Sequence, residues 1–237
     1  MERQTPLTTD ETYHVFNRGA HKNRVFTSTG DYERFLLLLF LCNTSSPLNM
    51  RDLFQKYKGR SFVDIFSNEK RVGKPPVSIC AYSLMPNHFH LVVRQQTDGG
   101  ITQFMKKACT AYSMYFNLKY KHSGVLFQGR FKSSHIDTEP YFRHIFAYVH
   151  LNPVELIEKE WEEKGVREKK KIRNFLNNYR YSSFYDYSVA ERPEKELLAP
   201  DDAPDFLRQH NDLEEMLADY SDYEEVAELN ITKDRPL

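Results

Sequence analysis

The order of periodic segments constrains the fold of this chain more than any other feature. Residues 12–18 are rich in β-branched and aromatic residues, which predicts a strand. The next segments alternate in hydrophobic period, in the order helix 31–43, strands 77–84 and 88–94, helix 101–120 and strand 131–137. This β-α-β-β-α-β order predicts an α+β fold, a ferredoxin-like sheet with helices on one face.

The rest of the chain divides around this unit. Helix 138–151 completes a first domain over residues 1–155, and the polar stretch 45–76, bounded by proline-containing turns, is predicted to be an insertion in it. A helical, tyrosine-rich segment, 156–185, is expected to pack on the core. Residues 186–237 form an acidic tail that is predicted to be helical, so the ferredoxin-like unit carries a C-terminal helical extension.

The formal net charge hides a split between these segments. The chain has 33 Lys and Arg and 33 Asp and Glu, but residues 1–185 hold 28 basic against 17 acidic side chains, and residues 186–237 hold 5 against 16. A basic body followed by an acidic tail is compatible with nucleic-acid binding, which the net charge alone disfavours. The alternative is a solvated acidic helix that happens to come last.

Sequence features also indicate the compartment. No apolar run approaches the roughly 20 residues that span a bilayer, and the polar N-terminus does not resemble a secretory signal. The three cysteines, Cys42, Cys80 and Cys109, lie far apart in the chain, as expected for reduced thiols. We therefore expect a cytoplasmic protein with no membrane partner.

Two histidines in a predicted strand are the most informative chemical feature. Side chains alternate across a strand, so His88 and His90 share one face and Phe89 points to the other. Two imidazoles on one face can hold one metal ion. The alternative is a hydrogen-bonded surface histidine beside an unrelated one.

A tyrosine and an asparagine near the end of helix 138–151 form a second candidate pair. Tyr148 and Asn152 are four residues apart and share a helical face. Tyrosine can act as a covalent nucleophile, and the asparagine oxygen can bind a hard metal ion. Packing and a helix terminus before Pro153 are the alternatives. Tyrosines of helix 101–120 compete for the nucleophile role, namely Tyr112, Tyr115 and Tyr120.

Four sequence blocks over residues 11–155 carry a family resemblance: Tyr13–Gly19, Leu84–Val93, Gly124–Lys132 and Tyr148–Val154. With them the chain resembles the single-tyrosine HUH transposases, in particular the REP-associated tyrosine transposases and IS200-like insertion-sequence enzymes. The resemblance implies a ferredoxin-like catalytic domain, in agreement with the order of periodic segments.

The resemblance also implies roles for individual residues. His88, His90 and Asn152 match the ligands of a divalent metal ion, Mg²⁺ or Mn²⁺ in the family, although imidazole ligands alone would leave Zn²⁺ open. Tyr148 matches the nucleophile. The implied reaction cleaves and rejoins single-stranded DNA through a covalent 5′-phosphotyrosine. The implied partner is single-stranded DNA that contains a hairpin, bound by a monomer or homodimer at the nucleoid.

Basic residues near the predicted strand ends and on helix 101–120 are candidates for DNA phosphate contacts: Arg18, Lys22, Arg24, Lys106, Lys107, Arg130 and Lys132. Two other functions stay open from sequence alone. One is a domesticated protein that binds DNA hairpins without cleaving them. The other is a metal phosphodiesterase that uses activated water and does not need Tyr148. An RNA-binding ferredoxin-like module is a weaker possibility, because histidines occupy a central strand where such a module needs aromatic residues.

Overall fold

The computed structural model describes residues 6–46, 52, 55–60, 64–66, 74–199 and 212–227. Most of the predicted insertion 45–76, and the chain between 199 and 212, lie outside the described residues. The ferredoxin-like unit consists of β1 (Thr12–Arg18), α1 (Thr29–Cys42), β2 (Val77–Met85), β3 (His88–Gln95), α2 (Gly100–Tyr120) and β4 (Lys132–Ile136). Its strands form a sheet in the order β2-β3-β1-β4, with every neighbouring pair antiparallel. The predicted α+β fold is confirmed.

The helices α1 and α2 cover one face of the sheet, as the pattern predicts. Strand residues such as Val15, Phe89 and Leu91 point into this layer and are fully buried there. The rings of Phe35 and Phe89 lie 5.0 Å apart and join α1 to β3. Burial of the odd-numbered β3 side chains on this face leaves the even-numbered residues, including both histidines, on the other.

The opposite face carries α3 (Glu139–Leu151) and much of the C-terminal extension. Ala81 and Val92 of the sheet pack there with Phe146 and Val149 of α3. The extension continues with a 3-10 turn at Asn152–Leu156, α4 (Trp161–Lys164), α5 (Lys169–Asn178), α6 (Phe184–Ser188), a 3-10 turn at Pro193–Leu197 and α7 (Leu213–Ala227). The predicted tail boundary between residues 185 and 186 falls inside α6. None of the described helices is long and apolar enough to cross a membrane.

The segment after α5 covers the outer edge of β2. Residues just before α6 pair with that strand through backbone bonds from Leu84 N–H to Tyr181 O and from Ser183 N–H to Tyr82 O, each 2.9 Å long. Because an uncovered strand edge invites pairing with other chains, this segment also protects the sheet. A buried ion pair anchors it, with Arg192 Nη2 lying 2.7 Å from Asp186 Oδ2 and donating to the Tyr82 hydroxyl at 2.9 Å.

Gly19 fixes the turn that follows β1. A Cβ atom at this position would lie 2.1 Å from the carbonyl oxygen of Asn23, so only glycine fits. The Gly19 N–H donates to Asn87 O at 2.8 Å, which docks this turn on the β2–β3 connection immediately before His88. The turn therefore holds the end of β1 beside the start of β3, where His88 lies.

Candidate active site

The two β3 histidines point toward α3 from the centre of the sheet. In the β1–β3 register, Arg18 lies opposite His88 and Phe16 lies opposite His90, so all four side chains share one face. The rings of His88 and His90 lie 4.9 Å apart. His90 is buried, with 4% of its surface exposed, and His88 is partly buried.

The end of α3 brings Tyr148 and Asn152 to the same place. Asn152 caps the helix, and its backbone N–H bonds to Tyr148 O, as expected for a residue before Pro153. Its side-chain Oδ1 lies 3.1 Å from His88 Nε2, and its Nδ2 donates to the Tyr148 hydroxyl at 3.4 Å. The Tyr148 ring meets the His90 ring edge to face at 5.2 Å. The structure thus brings together the four residues predicted as nucleophile and metal ligands.

These residues line one cavity of about 320 Å³ with an uneven charge distribution. Arg18 and Lys132 contribute positive charge to its wall. Negative charge comes from the segment after α3, through Glu155, Glu160, Glu162 and Glu163. The cavity wall is therefore basic at the end of β1 and at the start of β4, and it is acidic between residues 155 and 163.

Burial sets the protonation states in the cavity. Desolvation lowers the pKa of His88 to about 4, against a smaller opposing effect of its hydrogen bond to Asn152. Desolvation, and then the charge of His88, hold the pKa of His90 well below its usual value. Both imidazoles are neutral near pH 7, which is the form that can bind a metal ion.

The Tyr148 hydroxyl is a weaker acid than free tyrosine. Burial raises its pKa above the ordinary value of 10, and the charges of Glu162 and Glu155 raise it further. The hydrogen bond from Asn152 and the charge of Arg18 act in the opposite direction. The phenol is therefore protonated at neutral pH.

The donor set around His88 fits a divalent metal ion. His88 Nδ1 lies 2.6 Å from Asn87 Oδ1, while Nε2 lies 3.1 Å from Asn152 Oδ1. A neutral imidazole has one N–H, so it can donate to one of these two oxygens. If His88 donates to Asn87, its Nε2 lone pair faces the lone pairs of Asn152 Oδ1 at 3.1 Å, which is a repulsive contact. A cation bound between the two atoms would remove this repulsion. Adjacent ligand atoms of one Mg²⁺ or Mn²⁺ ion lie roughly 3 Å apart, since each bond is about 2.1 Å.

The set relies on an amide oxygen. Among the residues that the structure describes, no group of three His, Cys, Asp or Glu side chains is placed to hold a metal ion. His88, His90 and Asn152 would hold the ion with two nitrogens and one neutral oxygen, leaving room for phosphate and water ligands.

The predicted DNA-contacting residues are spread over the molecule. Arg18 and Lys132 line the cavity. Lys22 and Arg24 are exposed in the turn after β1, and Arg130 is exposed just before β4. Lys22, Arg24 and Arg130 do not line the cavity.

The two lysines of α2 lie on the opposite side of the sheet. Lys106 is exposed, and Lys107 donates to the carbonyl oxygens of Thr44 and Ser46 at 2.7 and 3.1 Å. The helix that carries them packs on the Phe89 face, so these two candidates are not brought to the tyrosine. Their predicted contact with DNA stays a prediction.

Sequence reasoning did not single out three groups that belong to the site. His14 of β1 lies beneath the histidine pair, with its Nε2 2.8 Å from His90 Nδ1. The acidic residues 155–163 face the cavity, and Trp161, which is buried, lines it as well. The two-residue period of β1 could have indicated His14, because it lies on the same side as Phe16 and Arg18. No sequence period indicates the acidic wall, since its glutamates lie in a 3-10 turn and in or beside the four-residue helix α4, which are too short to show one.

The fold and this cavity together define a ferredoxin-like domain with a histidine pair, an amide and a tyrosine in one cleft. Residues 51–152 match the family described as IS200-like transposases. The predicted family resemblance is therefore confirmed. The matched segment contains His88, His90, Tyr148 and Asn152.

Other comparisons add less. No curated protein matches the chain. A solved structure of a REP-associated tyrosine transposase bound to a REP hairpin is similar, with 13% sequence identity and a TM-score of 0.45, over 79% of this chain and 84% of that chain.

Proposed function

We propose that this protein cleaves and rejoins single-stranded DNA through a covalent 5′-phosphotyrosine on Tyr148. The observation that carries the proposal is the position of the Tyr148 hydroxyl. It accepts a hydrogen bond from Asn152, whose other amide atom lies against His88, in a cavity that also contains His90. The match of residues 51–152 to the IS200-like transposases supports the same reaction class.

In the proposed reaction the Tyr148 oxygen attacks the phosphorus of one phosphodiester. The new bond joins the phenol oxygen to phosphorus, the bond from phosphorus to the 3′-oxygen breaks, and that oxygen leaves with a proton as a free 3′-hydroxyl. The phenol proton must leave as well. Because the product is still a phosphate diester, another 3′-hydroxyl can reverse the step and complete strand transfer without an external energy source.

The chain's own residues bind and orient the reacting groups. Arg18 and Lys132 place positive charge beside the cavity, where they would contact DNA phosphates. Asn152 holds the tyrosine hydroxyl in the cavity, because its amide donates to that oxygen. A bound Mg²⁺ or Mn²⁺ ion, held by His88, His90 and Asn152, would polarise the scissile phosphate and offset transition-state charge.

The preference for single-stranded DNA with a hairpin follows from the family resemblance. The cavity has a volume of about 320 Å³, which accommodates a phosphate and its flanking groups.

The test is covalent capture of DNA. The full chain is incubated with hairpin-containing single-stranded DNA and Mn²⁺, and adducts are separated on denaturing gels. We expect an adduct with the wild-type protein and none with Tyr148→Phe, since phenylalanine lacks the attacking oxygen. The matched control is Tyr141→Phe, which changes another partly buried tyrosine of the same helix and should preserve the adduct.

Other outcomes identify other functions. An adduct with Tyr148→Phe would show that another residue is the nucleophile. Cleavage without any adduct, unchanged in Tyr148→Phe, would indicate a phosphodiesterase that uses activated water. Hairpin binding without cleavage under any divalent metal would indicate a DNA-binding protein.

A further inference from the structure

His14 lies beside His90, one of the proposed metal ligands. It belongs to β1, the strand that pairs with β3, and its side chain is on the same face as His90. It is buried, with 2% of its surface exposed. The two rings are nearly parallel, with centroids 5.1 Å apart and an angle of 18° between the planes.

The two rings share one hydrogen bond, between His14 Nε2 and His90 Nδ1, which are 2.8 Å apart. One of these nitrogens must donate and the other must accept. Both rings are buried, and burial disfavours the charged imidazolium, so each ring carries a single N–H. Two arrangements of protons are therefore possible, and they have opposite consequences for His90.

In the first arrangement His14 donates from Nε2. His90 then accepts at Nδ1 and carries its own proton on Nε2, so neither of its nitrogens has a lone pair for a metal ion. In the second, His90 donates from Nδ1 to His14 Nε2. His90 Nε2 then carries a lone pair, and it is the nitrogen that His14 leaves available. Only the second arrangement allows His90 to bind a metal ion.

We propose that His14 is a positioning residue that accepts a hydrogen bond from His90 Nδ1 and so keeps the His90 Nε2 lone pair available to the metal ion. The proposal rests on the proposed metal-dependent function and adds a residue to it. His14 does not touch the DNA or the ion, and acts through His90. Phe16 supports the same geometry, since its ring lies 5.0 Å from His14 and 5.8 Å from His90.

His88 shows the same arrangement with a different partner. Its Nδ1 lies 2.6 Å from Asn87 Oδ1, an amide oxygen that can accept a hydrogen bond. Each proposed histidine ligand thus has at Nδ1 a group that can accept a hydrogen bond, and donation to that group leaves the Nε2 lone pair for the ion. Groups that orient ligands in this way commonly change metal affinity 10- to 100-fold when they are removed.

The first measurement is the protonation of His90 itself, without metal. Nitrogen-15 NMR of the ring nitrogens distinguishes a protonated nitrogen from one with a lone pair. We expect His90 to be protonated at Nδ1 in the wild-type protein and to lose this preference in His14→Phe. Protonation at Nε2 in the wild-type protein would overturn the proposal. Because this experiment contains no metal and no DNA, its outcome is separate from that of the proposed function.

The second measurement is the affinity of the full chain for Mn²⁺, by titration calorimetry without DNA. We expect His14→Phe to weaken binding by roughly 10- to 100-fold and His14→Gln, which retains an acceptor oxygen, to bind more tightly than His14→Phe. The matched control is His150→Phe, which removes a fully buried histidine bonded to Ser183 and should leave the affinity unchanged.

The remaining outcomes are also decisive. Equal affinity of His14→Phe and the wild-type protein would overturn the positioning role. An equal loss in His150→Phe would assign the effect to general destabilisation and would also contradict the proposal. A wild-type protein that binds no Mn²⁺ would contradict the metal-dependent function, while the NMR result would still decide what His14 does to His90.

Discussion

At the scale of single residues, the proposed nucleophile Tyr148 is not activated by its surroundings. Burial and the charges of Glu162 and Glu155 raise its pKa, while Asn152 and Arg18 provide only partial compensation. A residue can thus match a nucleophile motif while its environment disfavours the reactive anion. Substitution of the acidic side chains beside Tyr148 should therefore alter the acidity of its hydroxyl.

Removing one of these charges should change the pH dependence of the reaction. In Glu162→Gln the phenol loses a nearby negative charge, so its pKa should fall toward the ordinary value and adduct formation should extend to lower pH. The measurement is the rate of adduct formation with single-stranded DNA across pH 6–10. The rate at neutral pH should rise several-fold if deprotonation limits it.

Glu163→Gln is the matched control for this experiment. Glu163 lines the same cavity and carries the same charge, but Glu162 is the carboxylate with the larger effect on the pKa of Tyr148. The control should shift the pH profile less than Glu162→Gln does. Identical profiles for Glu162→Gln and the wild-type protein would show that this charge does not reach the reacting oxygen.

At the scale of secondary-structure elements, the helix that carries Tyr148 is held by the C-terminal extension. Tyr220 of α7 is buried among aromatic rings, with centroid distances of 4.9 Å to Trp161, 4.9 Å to His144 and 6.4 Å to Tyr148. Residues 213–227 of the predicted acidic tail form the helix α7, which packs on α3. It also supports the wall of the cavity, because Trp161 lines that cavity.

Removing the Tyr220 side chain should lower the stability of the fold and also disturb the candidate site. Tyr220→Ala removes a buried aromatic side chain, which costs about 3 kcal/mol in the free energy of unfolding. Urea denaturation provides the measurement, and adduct formation should also slow because α3 loses support. Ser221→Ala, an exposed neighbour on the same helix, should change stability by less than about 0.5 kcal/mol. Equal stability of Tyr220→Ala and the wild-type protein would mean that α7 does not hold α3.

At the scale of the whole molecule, the face that holds the site is rich in buried, neutral histidines. Desolvation lowers the pKa of both His14 and His150 to about 3 and that of His88 to about 4, and holds the pKa of His90 well below normal. In the unfolded chain each of them titrates near 6.5. Between about pH 6.5 and 4 the unfolded state therefore binds more protons than the folded state, and stability falls as pH falls.

This difference predicts a marked loss of stability in mild acid. At pH 5.5 each such histidine should lower the free energy of unfolding by roughly 1.4 kcal/mol relative to pH 7.5. Urea denaturation of the metal-free protein at both pH values is the measurement. Asp31 contributes to stability in a lower pH range. Burial alone would raise its pKa, but hydrogen bonds from Lys119 and Thr27 hold the pKa below its usual value, so its stabilising effect is lost only below the range compared here.

A single substitution provides the control. His150→Phe should reduce the difference between the two pH values by roughly 1.4 kcal/mol, because one titrating group is gone from the unfolded state. Equal stability of the wild-type protein at pH 7.5 and pH 5.5 would contradict the assignment of neutral, buried histidines.

Much of the fold could be predicted because it depends on local periodicity. Strand alternation placed His88 and His90 on one face, helical spacing placed Tyr148 and Asn152 together, and the order of elements indicated the sheet. Charge was less informative. The split at residue 185 made the first segment basic, yet four glutamates of that segment line the cavity, namely Glu155, Glu160, Glu162 and Glu163.

The sequence by itself determined the ferredoxin-like order of elements, the family resemblance and the four residues of the candidate centre. All of these follow from spacing along the chain. Only the tertiary structure decided what surrounds them: His14 beneath His90, the acidic wall beside Tyr148, and the packing of α7 on the helix that carries it. These contacts join residues distant in sequence, and burial, which sets the protonation of each group, depends on how the whole chain packs rather than on any local pattern.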